Sequence, residues 1–247
     1  ETLTVTATDL AGNVSTGNSR TFSVDTTGPL TPSFALASDT GSSTTDRITN
    51  NGRINVSGLE VGATWEYTVD GNSSSPTWLA GSGGSFILAP ATYAIGAILV
   101  RQRDAAGNTT TSTANTAAIT VDTSAPGAPT IAAVAGDNFV NAGENSNLVI
   151  SGTAEAGSTV RITGSSGFSS TVTASPTGVW STSVSNAATT FGQGAETLTV
   201  TATDLAGNVS TGNSRTFSVD TTGPLTPSFA LASDTGSSTT DRITNNG

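Results

Sequence analysis

Across 247 residues the chain carries a formal charge of −10, only 11% charged and 5% aromatic side chains, and no Cys, His or Met. That composition excludes disulfide staples, thiolate or imidazole metal sites and a Ser-His-Asp triad within it. The acidic balance argues against a nucleic-acid partner, whose phosphates need a basic face. Low charge with abundant Thr and Val suits strands and turns, and no window holds a sustained 3.6-residue apolar period, so no long helix is expected. There is no run of the kind that crosses a membrane and no signal peptide, and an internal stretch of a longer chain would show neither.

Residues Glu1 to Gly52 return letter for letter as Glu196 to Gly247, an identity of 52 positions offset by 195. Such identity marks a recent duplication, and the repeat governs everything else. In chain order, residues 1–24 hold the closing hairpin of a preceding module. Module A follows over 25–121, with strands expected near 31–37, 53–58, 64–70, 77–80, 85–88, 96–103 and 111–121. Module B spans 122–219, with strands near 129–135, 147–152, 158–163, 169–175, 179–184, 196–203 and 211–219. Residues 220–247 open the next module. Seven short strands in about a hundred residues is the count of an immunoglobulin-like β-sandwich, so the fold class is all-β, an elongated array of such modules. An isolated hairpin is marginal in water, so the two terminal pieces need a neighbour or fray.

Two tags set the boundaries. Val-Asp-Thr occurs at Val24, Val121 and Val219, spacings of 97 and 98 residues, and each is followed by Pro-rich text, as in Gly28-Pro29-Leu30-Thr31-Pro32 and Ala125-Pro126-Gly127-Ala128-Pro129. Proline fixes φ and lacks a donor, which marks a stiff extended linker. The second tag is an Asp-x-Ala-Gly-Asn turn beginning at Asp9, Asp104 and Asp204. Around the last of these, Leu198, Val200 and Ala202 alternate with Thr, and Thr216, Ser218 and Val219 follow, which reads as a hairpin. Inward positions are Phe34, Trp65, Ile98 and Val100 in module A, and Ile131, Val149, Ile150, Val160, Trp180, Leu198 and Val200 in module B.

Of twelve Asp, eleven fall in three recurring contexts. Asp9, Asp104 and Asp204 open the late turn; Asp25, Asp122 and Asp220 sit in the linker; Asp39, Asp46, Asp137, Asp234 and Asp241 lie between the first and second strands. In an immunoglobulin-like sandwich the first loop lies at the far pole beside the departing linker, and the late turn lies at the near pole of the next module. One junction is therefore expected to gather Asp39, Asp46, Asp122 and Asp204. The junction at Asp25 collects Asp104, and that at Asp220 receives Asp137, Asn141 and Glu144. Crowded carboxylates repel unless a cation neutralises them, and hard oxygen ligands without His or Cys select Ca²⁺. Extracellular calcium modules bind at about 10⁻⁴–10⁻³ M. The competing reading is that Asp is a turn former whose side chain bonds its own backbone. Asp70 is read that way, and Glu60, Glu66, Glu155 and Glu196 as solvated faces.

The tags Val-Asp-Thr-Thr/Ser-x-Pro and Asp-x-Ala-Gly-Asn, with Ser38-Asp39-Thr40-Gly41, Asp46-Arg47-Ile48-Thr49-Asn50 and Ser151-Gly152-Thr153-Ala154-Glu155-Ala156-Gly157, resemble bacterial immunoglobulin-like repeats of giant biofilm-associated adhesins. The resemblance implies type I secretion by Gram-negative bacteria, RTX segments elsewhere in the protein and an extracellular, cell-surface location. It also implies an extender role, with calcium ions between neighbouring modules of the same chain stiffening it behind a distal domain whose target is unknown. Module B departs from the pattern, with Asp137-Asn138 and Glu144 where module A has Asp39 and Asp46, so the two junction types are expected to bind different numbers of ions. Two other readings compete. A carbohydrate-binding module needs an exposed aromatic platform, for which Trp65, Trp78, Trp180, Tyr67 and Tyr93 are the candidates; Trp65 and Trp180 alternate with polar residues as core, and Trp78, after Ser73-Ser74-Ser75-Pro76, is the one to mutate. Paired carboxylates could in principle hydrolyse a glycoside, but clusters that recur at module poles suit mechanics better than one cleft, so no enzyme is expected. Gly81-Ser82-Gly83-Gly84 lacks a following Lys and a helix, so it is a turn rather than a phosphate loop.

Overall fold

The computed structural model describes residues 1–235 and 237–245; Gly236, Asn246 and Gly247 of the expected opening module lie outside the described residues. The chain begins with a hairpin, β1 (Thr2–Val5) and β2 (Asn18–Thr21), paired Thr2 to Thr21 through Val5 to Asn18.

The first sandwich comprises β3 (Ser33–Leu36), β4 (Ile48–Thr49), β5 (Arg53–Ser57), β6 (Thr64–Thr68), β7 (Leu79–Ala80), β8 (Ser85–Ile87), β9 (Ala91–Tyr93), β10 (Leu99–Arg103), β11 (Thr109–Thr111) and β12 (Ile119–Val121). They form sheets ordered β3-β5-β8, β11-β10-β6-β7 and β4-β12-β9. Alternation along β5 turns Ile54 and Val56 inward, and along β10 it turns Val100 inward. These meet Trp65, Phe86, Ile98, Ile119 and Val121 in one core, where Tyr67 stacks on Phe86 with ring centroids 4.0 Å apart. Burying each large apolar side chain contributes about 1.5–3 kcal/mol.

The second sandwich comprises β13 (Phe139–Val140), β14 (Leu148–Thr153), β15 (Thr159–Gly164), β16 (Ser169–Thr173), β17 (Val179–Val184), β18 (Gly194–Thr203) and β19 (Asn213–Val219), with one helix, α1 (Ala187–Phe191). A five-stranded sheet β13-β19-β18-β15-β16 and the pair β14-β17 enclose Ile150, Val160, Ile162, Trp180, Leu198, Val200 and Phe217. Thr130 and Ala132 donate their N–H groups to Thr153 and Ser151, adding a further extended segment beside β14. Asn186 caps α1 by accepting from the Thr189 N–H. In both sandwiches a two-residue piece of the first strand runs parallel to the last strand: β4 with β12 and β13 with β19.

Several expectations need correction. The strand expected over 111–121 is broken, because Asn115 replaces ladder bonds: its side chain accepts from Ile98 N–H and donates to the Ala94 and Ala117 carbonyls. The strand expected over 129–135 gives way to a 3-10 turn at Val134–Gly136. Val149 faces outward at 48% exposure, because Leu148 and Ile150 occupy the inward positions of the two-residue period. Phe34 is only half-buried at its core.

Duplication gives an internal control. β1 and β2 repeat β18 and β19 in sequence and in register, Leu3 opposite Arg20 as Leu198 is opposite Arg215. Leu198, Val200, Phe217 and Val219 are at most 2% exposed, whereas Leu3, Val5, Phe22 and Val24 are 44–65% exposed. The hairpin is local; its burial belongs to the strands packed against it.

Candidate functional site at the module junction

Each Asp-x-Ala-Gly-Asn turn is closed by its own aspartate. Asp204 Oδ1 accepts from the Gly207 and Asn208 N–H groups at 2.7 and 2.8 Å, and Oδ2 accepts from Asn208 Nδ2 at 2.8 Å. Asp104 repeats all three bonds with Gly107 and Asn108. Asp9 binds the Ala11 and Asn13 N–H groups and Asn13 Nδ2. The Asn13 and Asn108 side-chain amides, reinforced by backbone N–H groups, hold the Asp9 and Asp104 carboxyls below the usual aspartate range. The turn asparagine has a second task. Asn208 Nδ2 donates to the Asp122 carbonyl at 2.8 Å, and Asn108 Nδ2 to the Asp25 and Thr27 carbonyls at 3.1 Å, so each turn grips the linker entering its own module.

The linker aspartates form tight local turns: Asp25, Asp122 and Asp220 accept from the N–H groups of Thr27, Ser124 and Thr222. In the loop before β5, Asp39 Oδ2 accepts from Arg47 N–H at 2.8 Å and Asp46 Oδ1 from Ile48 N–H at 3.0 Å. Asn50 N–H donates to Thr40 Oγ1 at 2.8 Å. Asp39 Oδ1 is buried and has no hydrogen-bond partner. The duplicate loop repeats this arrangement: Asp234 Oδ2 accepts from Arg242 N–H, Asp241 Oδ1 from Ile243 N–H, Thr235 Oγ1 from Asn245 N–H, and Asp234 Oδ1 is again buried and unpartnered.

Module B's turn seats in that first loop. Thr40 Oγ1 lies 2.6 Å from the Ala206 carbonyl and 2.9 Å from Asn50 Oδ1; its single proton serves one of them at a time. Gly41 and Gly207 meet with φ near +96° and +97°. A Cβ on Gly41 would fall 2.0 Å from the Leu205 carbonyl oxygen, and one on Gly207 would fall 2.9 Å from Gly41 N. Ala206 is 1% exposed, while its counterparts Ala11 and Ala106 are exposed.

The structure thus brings loop 39–50, turn 204–208 and linker residue Asp122 together. It does not gather their carboxylates into one group: among the described residues no three acidic side chains form a cluster able to hold a metal. Asp104 is joined to Asp25 through Asn108 rather than through its own carboxylate. At the other end of module B, Asp137 Oδ1 accepts from Phe139 N–H, Asn141 Oδ1 from Gly143 N–H and Glu144 Oε2 from Asn141 N–H, while Asp220 donates its N–H to the Val140 carbonyl. Unlike the first loop, this one carries no buried, unpartnered carboxylate oxygen among the described residues.

Two polar roles escaped the sequence reading. Gln102, fully buried, donates to the Leu30 and Gly58 carbonyls and accepts from Glu60 N–H, tying the linker to module A. Glu196 is 3% exposed rather than a solvated face, accepting from Ser165 Oγ, Ser166 N–H and Ser166 Oγ at the β15–β16 turn. Glu66 pairs with Arg101 at 2.7 Å. Trp78 carries the Arg101 guanidinium 4.0 Å from its ring centroid, so one face of the expected platform is taken. Asp70 is the turn residue expected, accepting from Thr68 Oγ1 and Thr77 N–H.

With two sandwiches joined by such a contact, the chain belongs to the bacterial Ig-like domain family, whose model matches residues 27–123 and 132–221. No curated protein matches it detectably. Among solved structures, one described under host cell surface retention of a 1.5-MDa bacterial ice-binding adhesin is 24% identical, over 90% of this chain and 74% of that one, with a TM-score of 0.37. The fibronectin(III)-like modules of Clostridium thermocellum CbhA are 14% identical, over 72% and 93%, at 0.40. A biofilm-associated protein BSP domain is 24% identical, over 69% of this chain but 27% of that one, at 0.27. At these overlaps the likenesses carry no argument of their own, and the family rests on the sequence match. No helix among the described residues is long and apolar enough to cross a membrane.

Proposed function

We propose that this chain is a non-enzymatic spacer of a bacterial cell-surface adhesin, a row of sandwiches whose junctions calcium stiffens so that a distal adhesive region stands away from the cell. The observation that carries this reading is the seating of turn 204–208 in loop 39–50, where backbone meets backbone at Gly41 and Gly207. A floppy string needs no such fit. The family resemblance extends the proposal to an extracellular location on a Gram-negative bacterium and to type I secretion. Residues 1–24 then close a preceding module, and 220–247 open a following one.

The residues fit a hard cation at one point. A buried carboxylate oxygen without a donor is costly, and Asp39 Oδ1 is such an atom in a loop that also presents Asp46 and lies against module B's turn. Asp39 would supply the first ligand, and the ion would supply charge neutralisation there. The same orphan recurs at Asp234 in the duplicate copy of this loop. Calorimetric titration of the chain with calcium tests the reading. Binding near the extracellular range of about 10⁻⁴–10⁻³ M, weakened by Asp39→Asn, is expected. Absence of binding, or binding indifferent to that substitution, would contradict it.

A further inference from the structure

Most carboxylates in this chain close turns, yet one open cavity of about 620 Å³ on module A is lined by four charged side chains: Glu60, Glu66, Arg101 and Arg103. Glu66 and Arg101 neutralise each other at 2.7 Å, with the guanidinium also covered by Trp78. Glu60 and Arg103 are exposed. Among the described residues the Glu60 carboxylate makes no hydrogen bond, and the Arg103 guanidinium makes one, from Nε to the Gly107 carbonyl at 3.3 Å. The cavity therefore offers one acceptor and the two terminal nitrogens of one guanidinium, both open to a ligand.

Its wall is rigid. Gly81 lies flat on the Trp65 indole, where a Cβ would fall 2.2 Å from ring atoms, and Trp65 Nε1 donates to the Gly83 carbonyl at 2.9 Å. Module B has no equivalent charge set, because Thr201 and Thr203 stand at the strand positions of Arg101 and Arg103, counted back from the Asp-x-Ala-Gly-Asn turn.

We propose that this cavity binds an acidic saccharide, a sugar unit bearing a carboxylate within a polymer. The Arg103 fork matches a carboxylate, ring hydroxyls donate to Glu60, and the apolar lining of Leu59, Ala63 and Ala80 faces the C–H side of the ring. A compact inorganic anion is opposed by Glu60, and a simple cation by Arg103. A sugar acid brings both a carboxylate and hydroxyl donors to one place. Because the site belongs to module A, an array that repeats module A would engage a polysaccharide at many points, raising avidity without any new contact.

The test is calorimetric titration of the whole chain at low salt, with a chelator present so that no calcium bridges ligand to protein. The probes are a glucuronic acid oligomer and a glucose oligomer of equal length. Binding of the acidic oligomer alone is expected, falling about tenfold in Arg103→Gln as one charge-assisted bidentate contact is lost. Glu60→Gln weakens it less, and both variants keep the wild-type melting temperature because both side chains are exposed. No binding, equal binding of the two oligomers, or an Arg103→Gln variant that binds like wild type overturns the proposal. None of these outcomes bears on the spacer reading, which the calcium titration tests separately.

Discussion

Gly41 and Gly207 are the residues on which the junction turns. Both hold positive φ, and neither leaves room for a methyl group toward its partner. In Gly41→Ala the left-handed backbone costs about 1–2 kcal/mol, and the overlap with the Leu205 carbonyl adds to it. Hydrogen exchange in turn 204–208 should quicken in this variant while the β14–β18 core stays protected. Unchanged exchange in the turn would show that the contact is not maintained in solution. The aspartates of the turns give a second residue-scale expectation. Asp104 is held below its ordinary range, chiefly by the Asn108 side chain. Stability from a depressed carboxyl is fully present above the unfolded pKa, about 3.9, and is lost as pH falls through the lower folded value. Module A should therefore keep this contribution at pH 5–7, on the order of the range where unfolded Asp is ionised, and lose it below about pH 4. Asp104→Asn should be less stable at neutral pH and show a shallower acid loss in thermal melts at stepped pH.

At the scale of elements, the two sandwiches close the edge beside their first strand differently. In module B, Arg215 Nε donates to the Ile131 carbonyl at 3.0 Å and Asn213 Nδ2 to the Pro129 carbonyl at 3.0 Å, stapling β19 to the segment before β14. Module A has Thr113 and Asn115 in those places, and Asn115 turns inward instead. A gap of about 310 Å³ remains beside β3, lined by Phe34, Leu36 and Ile119 among others. Amides of β3 should exchange faster than those of Thr130 and Ala132. Arg215→Ala should destabilise module B by about 1–3 kcal/mol, since it leaves a partly buried carbonyl unpaired. Trp180 is the other anchor, 1% exposed with Gly152 beneath it. Trp180→Ala should cost about 3–5 kcal/mol in denaturant unfolding, against a smaller loss for Trp180→Phe.

What the sequence discloses follows from how local each feature is. The hairpin around Asp204 is legible because alternation of Leu198, Val200 and Ala202 and a Gly-Asn turn determine it within a few residues, and β1–β2 shows the same register with its apolar side chains exposed. Burial is not legible in this way: Glu196 is enclosed by the Ser165–Ser166 turn, whereas the identical Glu1 is exposed. The two-residue parallel pieces β4 and β13 carry no pattern long enough to read, and they exist through the last strand beside them. The approach of the Asp39 loop to the late turn of module B could be expected from sandwich topology. The roles of Thr40 and Gly41 could not, because they depend on the shape of a turn more than 160 residues away.

For the whole molecule, the mechanical consequence of a seated junction is length. A row of sandwiches that swivel on their linkers fills a compact range of shapes, whereas fixed junctions hold it extended. Calcium at Asp39 would add to a contact already made by Thr40, Gly41 and Gly207. The most direct test of the account is small-angle X-ray scattering of the chain in millimolar calcium and after chelation. The account expects a longer, narrower distance distribution with calcium, a shorter and broader one without it, and a loss of that difference in Asp39→Asn. A maximum dimension unchanged by chelation would contradict it.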